Sequence, residues 1–345
     1  MKKINATALL LLLGLGASAY SLGARAQDRE FDMTIEDTNA TLVGNIKFHT
    51  FAYNGQVPGP LIHVKEGDKV TVHVTNLTTL THTIHWHGLF QTNTWKNDGV
   101  PKVTQAAIEP GDTYTYKFVA APAGTMWYHC HVNVNEHVVL RGMWGPLIID
   151  PKEPTALEKK VTKDFVLMFN DWDSKWAQKP GYGGVPGDVY DYFTINGKAF
   201  PEDQPIRVKK GDFVRLRLIG AGDLVHSIHL HGHVFTVAFK DGHPLPNPYK
   251  ADTILLGPGE RYDILFEANN PGRWIIHDHV DSHTMNGDKS MGGMITIVEY
   301  EGVPRNDKWY VWKDKKYEPN FFYEESLKKG YGIFDNKLFK GVPIK

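Results

Sequence analysis

The segment His82-Thr-Ile-His85-Trp-His87-Gly88 has a second version later in the chain, His226-Ser-Ile-His229-Leu-His231-Gly232. The segments around it repeat in the same order: Phe51-Ala-Tyr-Asn54-Gly55 matches Phe193-Thr-Ile-Asn196-Gly197, and the stretch 124–131 matches 272–279. Because several turns and motifs recur in the same order, the repeat indicates two copies of one structural unit. The sequence therefore predicts two domains of the same fold.

Within each half, apolar and polar residues alternate. Lys69 to Val74 and Phe213 to Leu218 are typical of strands with one buried face, and Gly-Asp and Pro-Gly turns punctuate the pattern. The chain has 33 Gly and 20 Pro among 345 residues, which favours short strands joined by turns over long helices. We predict an all-β chain in which each half is a β-sandwich or barrel.

Local residue patterns indicate where the domains begin and end. Lys2 and Lys3, an apolar run and the small-residue pattern Ala24-Arg25-Ala26 indicate an export signal over 1–26. The alternative, a membrane anchor, needs roughly 18 apolar residues in succession, and the run is shorter. We expect domains over 27–155 and 156–300, a Gly- and Pro-rich loop over 181–187, and a charged, aromatic extension over 301–345. The mature protein, from Gln27, is expected to be periplasmic or secreted.

The charge and the cysteine content of the chain exclude some classes of partner and an internal disulfide. Lys and Arg number 38 against 39 Asp and Glu, so no basic excess is available to bind nucleic acid or an anionic membrane. We expect neither as a partner. Exported proteins often depend on disulfides, but Cys130 is the single cysteine and cannot form one within the chain. This thiol needs a different role.

Four histidine pairs of the form His-x-His stand at matching positions of the two halves. Residues two apart on a strand project from the same face, so each pair directs two imidazoles to one place. One pair alone is more often a core or surface feature, but four pairs in register with a repeat predict a metal site, and imidazole suits copper and zinc. The pairs are His85/His87, His129/His131, His229/His231 and His277/His279.

Cys130 lies between His129 and His131. Strand alternation turns its sulfur to the opposite side from both neighbours, which places two metal sites back to back. His82, His137 and Met143 then complete the two imidazoles, thiolate and weak thioether of a blue copper site. The alternative is a buried structural thiol.

These motifs resemble the multicopper oxidases, the laccase-like family built from cupredoxin domains. The similarity spans residues 51–300 and is most specific in His85-Trp-His-Gly-Leu-Phe-Gln91, Asp98-Gly-Val-Pro101 and Trp127-Tyr-His-Cys-His131. It points to the two-domain bacterial branch in which only the first domain carries type 1 copper. The resemblance implies two Greek-key cupredoxin-like domains in tandem.

The resemblance also implies one type 1, one type 2 and two type 3 copper ions per chain. By position, His82, Cys130, His137 and Met143 match type 1 ligands, His85 and His229 type 2 ligands, and His87, His129, His131, His231, His277 and His279 type 3 ligands. The spacing from Cys130 to Met143 is longer than in the usual motif, which leaves the axial ligand open. In the second half Asp278 replaces the cysteine, beside His226, His283 and Met291, so a relic without blue copper is expected there.

The activity implied by the resemblance is oxidation of phenols, aromatic amines or a redox protein, with dioxygen reduced to water. Cys130 would relay electrons, and Asp98 resembles an acid that the family uses near the trinuclear cluster; its other interpretation is a turn residue before glycine. Because two domains each give four imidazoles to the cluster, head-to-tail chains are implied, as a homotrimer. A closed monomer, a copper nitrite reductase and a non-catalytic copper carrier are the alternatives.

Overall fold

The computed structural model describes residues 26–175, 190–287, 290–304, 307–313, 315–316, 322–336 and 339–343. Apart from its last residue, the expected export signal lies outside the described residues, and so does the expected loop 181–187. Strands dominate the described chain and helices are few and short, so the all-β prediction is confirmed. In this part of the chain no helix is long and apolar enough to cross a membrane.

The first half forms two sheets packed face to face. Its strands are β1 (Asp28–Val43), β2 (Ile46–Tyr53), β3 (Leu61–Lys65), β4 (Lys69–Asn76), β5 (His85–His87), β6 (Thr113–Val119), β7 (Gly124–His129) and β8 (Trp144–Asp150). One sheet has the order β2-β1-β4-β6 and the other β3-β8-β7-β5. Strand β4 follows the predicted alternation, because Val70, Val72 and Val74 are buried while the residues between them are not.

The second half repeats this plan. Its strands are β9 (Lys163–Trp172), β10 (Tyr192–Ile195), β11 (Ile206–Val208), β12 (Phe213–Gly220), β13 (His226–Leu230), β14 (Phe235–Lys240), β15 (His243–Ala251), β16 (Thr253–Leu256), β17 (Arg261–Glu267), β18 (Arg273–Asp278), β19 (Met285–Asn286), β20 (Ser290–Met291) and β21 (Ile295–Tyr300). The sheets run β10-β9-β12-β17-β14-β15 and β11-β21-β18-β13-β16, and β19 and β20 form a separate hairpin.

Short helical turns join these strands, and a further set of elements follows them. The turns are 3-10 helices at Trp95–Asn97, Glu158–Lys160, Asp281–Thr284 and Asp307–Tyr310, and a π-helix at Asn135–Leu140. After residue 300 come β22 (Val311–Trp312), β23 (Lys315–Lys316), α1 (Phe322–Lys329), β24 (Gly332–Phe334) and β25 (Val342–Pro343). Strand β24 pairs with β3 and β25 with β1, so this segment leaves the second half and returns to the first.

Strand β12 differs from the prediction of one buried face, because Arg215 and Arg217 on its other side are buried as well. Arg217 donates to Asp164 from Nε at 2.8 Å and to the Thr125 hydroxyl from a terminal nitrogen at 2.8 Å. Thr125, on β7 of the first half, donates to Asp263 at 2.6 Å. The alternation failed here because charged side chains of the second half are buried against Thr125 of the first.

The electrostatic state of this network depends on both arginines. Burial alone raises the pKa of Asp164, but Arg215 and Arg217 reverse the effect and bring it to about 2. A buried carboxylate is stable only while such partners neutralise it.

We predict that Arg217→Met lowers the free energy of unfolding by about 3–5 kcal/mol, because it removes one of the two arginines that neutralise Asp164 and the buried Asp263. Urea unfolding followed by tryptophan fluorescence measures the effect. Lys209→Ala is the matched control, since it removes a cation from the exposed pair with Glu301 and should change stability little. Equal effects of the two substitutions would contradict the role given to Arg217.

Candidate metal centres

His82, Cys130 and His137 form one buried cluster in the first half. The Cys130 sulfur lies 3.8 Å from Nδ1 of His82 and 3.4 Å from Nδ1 of His137. The three ligand atoms all lie within 4.8 Å of one another. His82 precedes β5, Cys130 follows its neighbour β7, and His137 is carried by the π-helix, so three separate elements deliver the donors.

Met143 is tied to this cluster through its backbone. Its N–H donates to the carbonyl of His137 at 3.0 Å, and its carbonyl accepts from the N–H of Cys130 at 3.1 Å. The side chain is fully buried. The loop from Cys130 to Met143 therefore closes on itself despite its length.

The pKa values of the three side chains in this cluster favour binding of a soft metal ion. Burial raises the pKa of the Cys130 thiol to about 11 and lowers the pKa of His82 to about 2 and of His137 to about 4. Both imidazoles are thus neutral, with lone pairs for a metal, while a thiolate needs a cation to be stable there. A buried set of two imidazoles and one thiolate fits copper.

The His85/His87 and His129/His131 pairs meet in a second cluster, which we call the first tetrad. The ring of His85 lies 5.5 Å from that of His87, 5.1 Å from that of His129 and 5.3 Å from that of His131. Burial lowers the pKa of His87 to about 3 and also lowers that of His129. The first tetrad therefore directs its rings to one place, as strand alternation predicts, and His87 and His129 are neutral there.

Backbone carbonyls orient two of these rings. Nδ1 of His85 donates to the carbonyl of Asp98 at 2.8 Å, and Nδ1 of His129 donates to the carbonyl of Cys130 at 2.8 Å. With the proton on Nδ1, each Nε2 is left as the metal-binding atom.

Asp98 lies beside the first tetrad. Its Oδ1 is 3.4 Å from Nδ1 of His85, and the hydrogen bond from His85 is the main cause of the lowered pKa of this carboxyl. Gly99 makes the approach possible: its φ is +86°, and a Cβ there would lie 1.8 Å from the Ile84 carbonyl oxygen. The Asp-Gly pair thus forms a turn, and its aspartate also contacts His85 of the first tetrad.

The His229/His231 and His277/His279 pairs form a second tetrad on β13 and β18. Nε2 of His231 lies 3.1 Å from Nε2 of His277, and the His229 ring is 5.8 Å from the His279 ring. His231 and His279 are exposed. Among the residues that the structure describes, no ring contact or hydrogen bond joins a histidine of one tetrad to one of the other. Within one chain the eight imidazoles lie in two separate groups.

A third cluster occupies the position where the second half lacks its cysteine. His226, Asp278 and His283 have ligand atoms within 4.8 Å of one another, and all three are buried. The expectation that Met291 is the counterpart of Met143 is wrong, because Met291 is 53% exposed. Met294 takes that place: its carbonyl accepts from the N–H of Asp278 at 3.1 Å and its N–H donates to the carbonyl of His283 at 2.9 Å.

Thr78 was not predicted from the sequence. Its buried hydroxyl lies 2.8 Å from Nε2 of His82, and therefore fixes the ring whose other nitrogen faces the Cys130 sulfur. A threonine four residues before a histidine is not a distinctive signal, so no pattern in the sequence marks this contact.

Two sandwich domains, a buried thiol-imidazole cluster and two histidine tetrads define a protein built to bind several copper ions. Sequence models of the multicopper oxidases match residues 34–154 and 159–295. The chain belongs to the multicopper oxidase family, which implies copper as its metal.

Individual relatives agree with this placement. A blue copper oxidase from Nitrosomonas europaea is 68% identical, with a TM-score of 0.88 over 92% of this chain and 100% of that one. A multicopper oxidase called mgLAC is 60% identical with the same TM-score and coverage. Laccase-2 of Botryotinia fuckeliana is 36% identical over 70% of this chain and 43% of its own length. The chain spans about half the length of the curated relatives it matches. The cupredoxin-like fold prediction is confirmed.

We predict that Cys130→Ser abolishes the blue absorption of the copper-loaded protein and removes one copper per chain, because serine does not supply a thiolate. The copper held by the tetrads should stay. Elemental analysis, optical spectra and electron paramagnetic resonance measure this, with His243→Ala, at an exposed histidine outside the three clusters, as the control. A Cys130→Ser protein that is still blue would overturn the assignment.

Proposed function

We propose that this chain oxidises phenols, aromatic amines or other one-electron donors and reduces dioxygen to water, in the manner of a laccase. One observation carries the proposal: Cys130 faces His82 and His137, while the residues on either side of it belong to the first tetrad. Cys130 is therefore one peptide bond from two proposed type 3 ligands. The chain itself connects a site of electron entry with a site of oxygen reduction.

The residues fit copper in the numbers that the resemblance implies. The proposed type 1 ligands are His82, Cys130, His137 and Met143; the tetrads would hold one type 2 and two type 3 ions. Copper, when bound, supplies the one-electron redox chemistry that links a donor to dioxygen. Separate ligand sets let the donor and the oxygen bind at different places, which protects the donor site from partly reduced oxygen.

Electron entry is proposed at His137. Nε2 of His82 is held by the buried Thr78 hydroxyl, so that ring has no free edge for a donor. His137 lies on the π-helix and is 3% exposed, whereas His82 is 0% exposed. A donor would therefore reach the first cluster over the π-helix. A donor that only makes contact there needs no deep pocket, which fits a broad range of reducing substrates.

Asp98 is proposed to carry protons to the oxygen-reducing site. Its lowered pKa keeps the carboxylate ionised at neutral pH, so a proton that it takes up would be passed on rather than held, and its side chain is 30% exposed. Its Oδ1 lies 3.4 Å from Nδ1 of His85. Asp98 thus touches both solvent and a proposed type 2 ligand.

A head-to-tail homotrimer is proposed to assemble the complete cage. Each tetrad supplies only four imidazoles, and the second has two exposed rings that a neighbouring chain could cover. Phe90, shortly after His87, and Leu255, on the strand beside His229, are each 62% exposed. Apolar side chains exposed next to incomplete ligand sets favour an interface at both places. We further propose that residues 1–26 direct export and that the protein works in the periplasm or outside the cell.

We predict that the copper-loaded protein consumes oxygen with a phenolic donor at four donor electrons per dioxygen and without hydrogen peroxide. An oxygen electrode and a peroxide assay measure both quantities. Copper binding without oxygen uptake would favour a carrier, and turnover with nitrite alone would favour a nitrite reductase. Either result would contradict the proposal.

We predict that Asp98→Asn lowers kcat about 10²- to 10⁴-fold, the contribution of one positioned proton carrier, without loss of copper. The asparagine keeps the size of the side chain but cannot accept a proton. Steady-state oxygen uptake and elemental analysis measure the two effects, and Asp112→Asn, at an exposed turn, is the control. Full activity with all copper retained would refute the proton role.

We predict that the mature protein sediments as a trimer. Leu255→Glu should lower both the fraction of trimer and the rate of oxygen uptake, because a charged side chain disfavours burial at an interface. Sedimentation velocity and oxygen uptake are measured on the same samples. The blue absorption should remain, since the first cluster lies within one chain. Full activity in a monomeric variant would contradict the shared cage.

A further inference from the structure

We propose that the third cluster, formed by His226, Asp278 and His283, is a binding site for zinc. It occupies the place in the second half that His82, Cys130 and His137 occupy in the first. The inference concerns only the second domain, and it does not require the chain to be an oxidase.

The three side chains already converge. Oδ2 of Asp278 lies 2.8 Å from Nδ1 of His226 and 2.6 Å from Nδ1 of His283. The exposed fractions are 0% for His226 and Asp278 and 6% for His283. Two imidazoles and one carboxylate are ligands that zinc takes in proteins. A carboxylate in place of the thiolate also removes the ligand that a blue copper site requires.

The second observation is a pair of buried polar atoms that have no hydrogen-bond partner. Nε2 of His226 and Oδ1 of Asp171 are both buried and unpartnered, and they lie 3.4 Å apart. Both residues are 0% exposed. Oδ2 of Asp171 is held by the N–H groups of Asp223 and Leu224 at 2.8 and 2.9 Å, so Oδ1 is fixed facing the ring.

The proton position on His226 explains why this pair points to a metal. With zinc on Nδ1 of His226, the N–H of the ring would lie on Nε2 and would point to Oδ1 of Asp171, which is fixed 3.4 Å away. A ligating histidine that gives its other N–H to a carboxylate is the usual arrangement at zinc. Zinc would also compensate the charge of two buried carboxylates.

The required movement is small. Zinc binds imidazole nitrogen at about 2.0–2.1 Å and carboxylate oxygen at about 2.0–2.2 Å, so neighbouring donors in a tetrahedral site lie roughly 3.4 Å apart. The two contacts of Asp278 must lengthen by less than an ångström to reach this. The equivalent contacts of Cys130 in the first cluster are 3.4 and 3.8 Å long, so the corresponding position of the first half already has that spacing.

The test uses the full mature protein, stripped of metal, loaded with no more than four copper ions per chain and then exposed to zinc, because excess copper would compete for the third cluster. After desalting, elemental analysis should find one zinc per chain in addition to copper. Cobalt in place of zinc should give the visible absorption of a tetrahedral ion. Cys130→Ser should keep this zinc, because it alters only the first cluster, whereas His283→Ala should lose it.

Asp171→Asn is the sharper variant, because Asp171 contacts no metal in the proposal and only orients His226. It should weaken zinc binding about 10- to 100-fold, the usual effect of removing such a partner. If His283→Ala does not fold, Asp171→Asn and the cobalt spectrum decide the question. A copper-loaded wild type that retains no zinc, or zinc retention unchanged in Asp171→Asn, would overturn the proposal and leave the third cluster as a metal-free hydrogen-bonded triad.

Discussion

The alternation of side chains around Cys130 is the constraint on which the molecule depends. Because neighbours on an extended chain face opposite sides, one tripeptide serves two clusters: His129 and His131 belong to the first tetrad, and the sulfur faces His82 and His137. Burial then makes each donor costly to leave alone. It raises the pKa of the thiol and lowers the pKa values of the imidazoles, so the metal-free chain favours the neutral form of each donor. A metal ion would stabilise the charged thiolate at this place.

Duplication followed by divergence explains the difference between the halves. Both halves have the same pair of backbone hydrogen bonds. The methionine, Met143 or Met294, accepts from the N–H at the cysteine position and donates to the carbonyl of the cluster's second histidine, His137 or His283. In the second half the thiol has become a carboxylate that accepts hydrogen bonds from both imidazoles. Burial alone raises the pKa of Asp278, but these hydrogen bonds outweigh it and lower the value. One framework thus holds either a soft or a hard donor set, depending on one residue.

Much of the fold and of the candidate sites could be read from the sequence, because both rest on period-two patterns. The two histidine pairs of each half came together as spacing indicated, and so did the residues on either side of Cys130, but the two tetrads lie apart within one chain. Errors arose where tertiary structure intervened. Met291 was chosen by equal spacing, but the hairpin β19–β20 lengthens the loop and moves the equivalent position to Met294. Arg215 and Arg217 occupy positions that alternation assigns to solvent, yet both are buried: Asp164 of the same half pairs with each, and Thr125 from across the domain boundary contacts Arg217. Asp171 lies far from its partners in sequence, so no local pattern marks it.

The return of the chain to its first half also bears on solubility. Without β24, strand β3 would be the edge of its sheet, with a row of unpaired backbone groups and the buried side chains of Leu61 and Ile62 beside it. Such edges are templates on which other chains assemble into aggregates. Strand β24 therefore covers an edge that lies some 270 residues earlier in the sequence. During synthesis the edge of β3 stays unpaired until residues 332–334 have been made, and unpaired strand edges make partly folded chains prone to aggregation.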